Sequence, residues 1–283
     1  MHIRLLLTIS LTLASPLTQI LAHPSFATHS KTSPLIATEV DKDCLNKHNY
    51  LSPDAATPRG KKIFIADVPT YFRLDAERPP TKVLLFLSDV YSPFNDSNQL
   101  VQDGFADAGF HVLGIDYFYG DSVSNYIGRP QEEILAWIEQ GRRQADEALP
   151  RWLKGVKQIY GPNAKYSTVG YCFGAPYSMD LGATNEVVAN AIAHPAFLTE
   201  DHFTQLTKPV FLSCAEYDRT FPPGNLTRAA DILRETEKSY HIQIFSGTEH
   251  GFATRADPAD SNAVWAKDES LRSIAEWFDR FSK

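Results

Sequence analysis

Apolar and polar positions change their rhythm twice along this chain. Residues 61–68 (K-K-I-F-I-A-D-V) alternate as an exposed edge strand does, with 71–74 as the partner segment. From Lys82 the texture differs: 82–87 (K-V-L-L-F-L) is a continuous apolar run, the pattern of a strand covered by helices on both faces of a parallel sheet. Asn98 to Ala108 then repeats apolar residues at helical spacing, Gly109 stops it, and His111 to Ile115 is a further short apolar strand, which completes a strand–helix–strand unit. Between Pro130 and Ile159, helical spacing is interrupted near Gly141 and Pro150 and predicts a pair of helices. Strands are predicted at 167–171, 191–193, 210–215 and 242–245, and helices at 176–182, 226–237 and 263–281. Such alternation predicts an α/β fold with a doubly wound, mostly parallel sheet. Ligands of such sheets bind beyond the carboxyl ends of the strands, which directs attention to the residues after Leu87, Ile115, Tyr171, Ala193, Ala215 and Phe245.

The start of the chain follows another rule. Arg4 precedes an apolar run from Leu5 to Ala14, and Ser15-Pro16 breaks it. This is the layout of a secretory signal over residues 1–27, with cleavage after Ala22 or Ala27, followed by a single domain over 28–283. A membrane span needs about 20 apolar residues, so stable membrane insertion is not expected. The sequons Asn95-Asp96-Ser97 and Asn225-Leu226-Thr227 fit an exported protein.

Composition narrows the function. The 283 residues are 43% hydrophobic and 22% charged with a net charge of −7, and no Lys/Arg block exceeds a pair, so nucleic acid is not an expected partner. Three cysteines, Cys44, Cys172 and Cys214, are too few for a disulfide scaffold and have no zinc spacing. In an oxidising compartment, parity leaves two readings open: Cys44 and Cys214 pair while Cys172 stays reduced, or Cys214, on an apolar strand, is a reduced core residue.

Cys172 is the residue with a chemical context. Gly170-Tyr171-Cys172-Phe173-Gly174 joins a strand to a helix, as a nucleophile elbow does, with cysteine in the place usual for serine. Glycines flank such a turn because the backbones on either side of it come close together. The following helix directs its N-terminal amides at the thiol, which favours thiolate, and the Phe173 N–H can meet a developing oxyanion. The competing reading is a buried core cysteine. In the hydrolase order of nucleophile, acid and base, Asp218 follows the 210–215 strand and His250 follows the strand ending at Phe245. Glu216 rivals Asp218 but stands nearer the strand. His194 rivals His250, with the alternative role of a hydrogen-bonded pocket wall. His2, His23, His29 and His48 fall in the N-terminal region, His202 and His241 read as surface positions, and His111 as a strand start.

Together, the segments L-S-D-V-Y (87–91), I-D-Y-F-Y-G-D (115–121), G-Y-C-F-G-A (170–175), A-H-P (193–195) and H-G-F-A-T-R (250–255) resemble the dienelactone hydrolase family, in its order and spacing, most closely the extended branch common in fungi. The resemblance implies an α/β-hydrolase fold, a Cys172, Asp218, His250 triad, oxyanion amides from Val90 and Phe173, and no metal or cofactor. It also implies that Asp89, in the place of a glutamate in bacterial members, accepts the hydrogen bond of the resting thiol, the alternative being a helix cap near Asn98. Arg255 would attract a substrate carboxylate, the alternative being a surface loop cation. Tyr117, with Tyr91, Tyr119 and Tyr126, would shape an aromatic-tolerant pocket. The expected activity is hydrolysis of a small-molecule lactone or activated ester by a secreted enzyme through an acyl-cysteine. The alternatives are a lactone-forming cyclase or isomerase on the same scaffold, and a non-catalytic binding or redox protein with an exposed thiol. Oligomeric state is left unassigned.

Overall fold

The structure, a computed structural model, describes residues 29–30, 32–39, 45, 57–74 and 81–283. The expected signal over 1–27 and Cys44 lie outside the described residues, and no helix among the described residues is long and apolar enough to cross a membrane.

Eight strands form the central sheet. In chain order they are β2 (Lys61–Ile65), β3 (Val68–Arg73), β4 (Lys82–Leu87), β5 (His111–Ile115), β6 (Lys165–Tyr171), β7 (Ala189–Ala193), β9 (Val210–Tyr217) and β10 (Tyr240–Glu249). Their spatial order is β10-β9-β7-β6-β4-β5-β3-β2, with only β2 and β3 antiparallel to their neighbours. The α/β architecture inferred from the apolar pattern is therefore observed. A second, two-stranded sheet pairs β1 (Leu35–Ala37) with β8 (Leu198–Thr199) and lies outside that pattern.

β4 explains why its run is continuous. Val83, Leu85 and Leu87 face the cluster that holds Trp137, Ile138, Trp152 and Leu153 of α2 (Gln131–Tyr160), while Leu84 and Phe86 face Phe105 of α1 (Asp96–Asp107) and Ile274 and Phe278 of α6 (Ser261–Phe281). Both faces are buried, so neither parity can be polar. At about 1.5–3 kcal/mol per large side chain buried, this strand contributes more than any turn chemistry around it. The remaining helices are α3 (Ala175–Gly182), α4 (Glu200–Thr204) and α5 (Pro223–Glu235).

Two expectations are corrected. The 61–68 segment is not one strand: Ala66 and Asp67 take φ of +49° and +61°, which closes a two-residue hairpin and assigns Val68 to β3. The expected helical pair is the single helix α2, with Pro150 inside it. Pro150 costs a helical hydrogen bond, about 3 kcal/mol in an isolated helix, but Leu149, Trp152, Leu153 and Val156 around it are all buried. Gly141 does not break the helix either. A Cβ there would come 2.9 Å from Cε1 of Phe118, so the glycine makes room for that ring.

Candidate functional site

β6 runs straight into a 3₁₀ turn, Cys172–Gly174, and then into α3, whose first turn carries Pro176. Cys172 itself has φ +47°, a left-handed conformation that costs a non-glycine residue about 1–2 kcal/mol and is retained only where the surroundings impose it. The imposing contacts are main chain. A Cβ on Gly170 would lie 2.3 Å from the Gly174 oxygen, and one on Gly174 would lie 2.2 Å from the Leu87 oxygen of β4. The elbow's closeness is thus partly to its own strand and partly to the neighbouring one. Cys172 is buried, and its carbonyl accepts from the Ala196 N–H at 3.2 Å.

Asp218 and His250 meet across the ends of β9 and β10. His250 Nδ1 lies 3.0 Å from each Asp218 oxygen, and both side chains are buried. Burial alone would push the Asp218 carboxyl up; the His250 charge and hydrogen bonds from His250, Thr220 and Phe221 outweigh it and hold the carboxyl below its ordinary value. Glu216 instead accepts from the Gly247 N–H at 2.7 Å. His194 stacks edge-on against His250, with ring centroids 5.0 Å apart. It is fully buried, and burial, helped by the nearby His250 and Arg255, holds its pKa well below the ordinary value. Among the described residues, neither His194 ring nitrogen has a hydrogen-bond partner.

The loop after β4 holds Asp89 among several donors. Its Oδ1 accepts from the Tyr91 N–H at 3.0 Å and from Asn98 Nδ2 at 2.8 Å, and its Oδ2 from Thr254 Oγ1 at 3.1 Å and Arg255 Nη1 at 2.6 Å. The cap of α1 is Asn95, not Asp89. Arg255 is no surface cation; its side chain is 9% exposed and its guanidinium lies over the Tyr91 ring, 4.5 Å from the centroid. Gly251, at φ +93°, makes this possible, since a Cβ there would meet Arg255 Nη2 at 2.3 Å. Asp89→Ala would leave a nearly buried guanidinium without its counter-charge, so we expect a loss of about 3 kcal/mol or more, read as a fall in Tm. A change of less than 1 kcal/mol would show that the pair is not structural.

Val90 and Phe173 are both buried, Val90 beside Asp89 and Phe173 in the 3₁₀ turn after Cys172. Tyr117 is fully buried; its hydroxyl donates to the Ser88 carbonyl and its ring packs on Phe118, Phe173 and Tyr177. It props the loop and the elbow rather than lining open space. Sequence reasoning missed Thr220, Asn98 and Thr254. Thr220 had a faint signal, since Asp-x-Thr is a local side-chain-to-backbone turn pattern.

His202, His29 and Cys214 find structural roles. His202 is buried rather than superficial, closes the capping box of α4 through Thr199, and has its pKa pushed down to about 3 by burial and the nearby His29. His29 pairs with Asp180, and the three could be drawn within 4.8 Å around a metal ion. They do not fit one, because His202 Nδ1 accepts from the Thr199 N–H, which leaves its proton on Nε2 and removes that lone pair as a ligand. A cavity of about 750 Å³ opens beside them, lined by Arg142, Asp146, Tyr177, Asp180 and Phe197 but not by Cys172. Cys214 is a buried free thiol on β9, as the core reading expected and the pairing with Cys44 did not; burial and the Asp218 charge push that thiol's pKa up.

Residues 69–282 match the sequence model of the dienelactone hydrolase family. The chain belongs to that family. Its members are ester and lactone hydrolases, so this dienelactone hydrolase family protein is a hydrolase of ester bonds, and the non-catalytic reading is set aside. It is 31% identical over 254 residues to "Dienlactone hydrolase 1" of Gibberella moniliformis, covering 87% of this chain and 95% of the relative. It is 29% identical to "Hydrolase pyvD" of Aspergillus violaceofuscus, covering 80% and 91%. The solved dienelactone hydrolase of Anabaena variabilis superposes with a TM-score of 0.54 at 16% identity, covering 80% of this chain and 99% of that one, a likeness of fold.

Proposed function

We propose that this family member is a secreted enzyme that hydrolyses a small-molecule lactone or activated ester through an acyl-cysteine intermediate. The observation that carries the reading is the bifurcated Asp218–His250 contact at 3.0 Å, in a chain whose elbow strains a cysteine to φ +47°. In the proposed cycle, His250 Nε2 takes the Cys172 proton as sulfur attacks the carbonyl carbon, and the Val90 and Phe173 amides receive the oxyanion. Collapse expels the alkoxide or enolate, which takes the proton back from His250. His250 then deprotonates water, which attacks the thioester and releases carboxylate and Cys172. Asp218 stabilises the imidazolium formed in each half. Thiolate is a good leaving group, so strained lactones, enol esters and thioesters suit this cycle and amides do not. Arg255 contributes to carboxylate recognition only by sharing its guanidinium between Asp89 and substrate.

Secretion rests on the N-terminal pattern, and the mass of the exported protein tests it directly: a product beginning at His23 or Thr28 agrees, and one retaining Met1 does not. Chemistry is tested by a panel of lactones and activated esters followed by intact-protein mass spectrometry under acid quench. We expect turnover of activated esters and an adduct equal to the acyl group on the peptide containing Cys172. Turnover with the acyl group on another residue would reject the assignment.

A further inference from the structure

Thr220 is fully buried, and its hydroxyl stands among three groups: Asp218 Oδ1 at 2.7 Å, Pro195 O at 2.9 Å and His250 Nδ1 at 3.0 Å. Its own N–H donates to the same Asp218 oxygen at 2.9 Å, and the Phe221 N–H does so at 3.2 Å. Its carbonyl is held as well, by the Thr38 N–H at 2.8 Å, while the Thr38 carbonyl accepts from Phe197 N–H at 2.9 Å. Thr38 follows β1, which is anchored to β8 and to Asn225, whose side-chain amide donates to Ile36 O at 2.8 Å. The N-terminal strand therefore fixes the main chain from which the Thr220 hydroxyl projects.

We infer that Thr220 is a positioning residue, whose hydroxyl holds the Asp218 carboxylate and selects the His250 tautomer that the proposed cycle needs; the inference rests on the triad reading. A hydroxyl has one proton. The charged, closer acceptor is Asp218 Oδ1, so the proton goes there in preference to Pro195 O. Three donors then converge on Oδ1, and the His250 Nδ1–H is shared between Oδ1 and Oδ2, each 3.0 Å away. The remaining lone pairs of the Thr220 oxygen face Nδ1. That contact is favourable when Nδ1 carries the proton; in the other tautomer the hydroxyl would have to turn its proton from the carboxylate to a bare Nδ1, giving up its charge-assisted bond, while the carboxylate would face the Nδ1 lone pair. Nε2 is thereby kept as the basic nitrogen. A carboxylate alone orients an imidazole, but the neighbouring hydroxyl penalises the wrong tautomer a second time.

The test compares Thr220→Val, Thr220→Ala and Thr220→Ser with wild type and His250→Ala, using an activated ester and, in parallel, ¹⁵N NMR of histidine-labelled protein. Thr220→Val is expected to lower kcat at least tenfold with KM within twofold. Thr220→Ser restores kcat to within threefold of wild type, because the hydroxyl returns without the methyl. The His250 nitrogens in wild type should show the neutral Nδ1–H tautomer, and in Thr220→Val a mixture. Should the valine variant not fold, Thr220→Ala carries the same expectations. A valine or alanine variant with more than a third of wild-type kcat and an unchanged His250 spectrum overturns the inference, and so do valine and serine variants equally impaired, which would assign the loss to packing. Full activity in His250→Ala rejects the triad reading itself. An inactive His250→Ala beside a fully active Thr220→Val rejects only the role of Thr220.

Discussion

Cys172→Ala and His250→Ala should each lose at least about a thousandfold in kcat/KM on an activated ester, about 4 kcal/mol of transition-state stabilisation, with Cys172→Ala melting within a few degrees of wild type. The size follows from the proposed chemistry: without sulfur there is no acyl-enzyme, and without the imidazole no group takes the proton from the thiol or from water. Cys172→Ala strips little buried surface and relieves none of the strain at φ +47°, because alanine has the same Cβ, whereas His250→Ala leaves the buried Asp218 carboxylate without its imidazole and should also lower Tm. The double variant should be no worse than the poorer single one, since the two groups act as a unit. Steady-state kinetics on the purified proteins, with circular dichroism as the check on folding, decides the matter. Either single variant retaining a tenth of wild-type kcat/KM would remove that residue from the mechanism.

Gly170→Ala is expected to cost about 3 kcal/mol or more, which lowers Tm by roughly 10 °C for a chain of this size, or to prevent folding. The added Cβ would lie 2.3 Å from the Gly174 oxygen, 2.6 Å from its carbonyl carbon and 2.8 Å from the Ala175 Cα. All three are main-chain atoms at the start of α3, so relief needs β6 and α3 to separate and not a side chain to rotate. Gly224→Ala is the matched control. It sits in the first turn of α5 with nothing within 4 Å of its Cβ position, and should be neutral or slightly stabilising. A thermal melt of Gly170→Ala within 2 °C of wild type would show that the elbow yields easily.

Much of this architecture could be read along the chain because its causes are local or periodic. The 82–87 run is apolar at both parities, and the structure covers both of its faces. Gly170 and Gly174 flank Cys172, and both are indeed places where a side chain would strike main chain. The order Cys172, Asp218, His250 placed an acid and a base after successive strands, and the structure joins Asp218 to His250. Periodicity failed where burial overrode a local breaker, as at Pro150, and where a turn needed two left-handed residues with neither glycine nor asparagine, as at Ala66-Asp67.

By itself, then, the sequence determined the layered α/β sheet, the strained turn at Cys172 and the spacing of an acid–base pair, since burial on two faces, steric room at glycine and strand order are written in residue type and position. Only the tertiary structure decided what surrounds them. Asp89 and Arg255 stand far apart in the chain, and nothing in the sequence pairs them; their 2.6 Å contact exists because the loops after β4 and β10 meet at one end of the sheet. The same holds for Thr38, Thr220 and His250, joined through β1, whose three residues carry too little pattern to announce a strand. Long-range pairings leave no periodic trace in a single sequence, because the physics that selects them, desolvation and hydrogen-bond satisfaction at a closed site, acts only once the chain has brought the partners together.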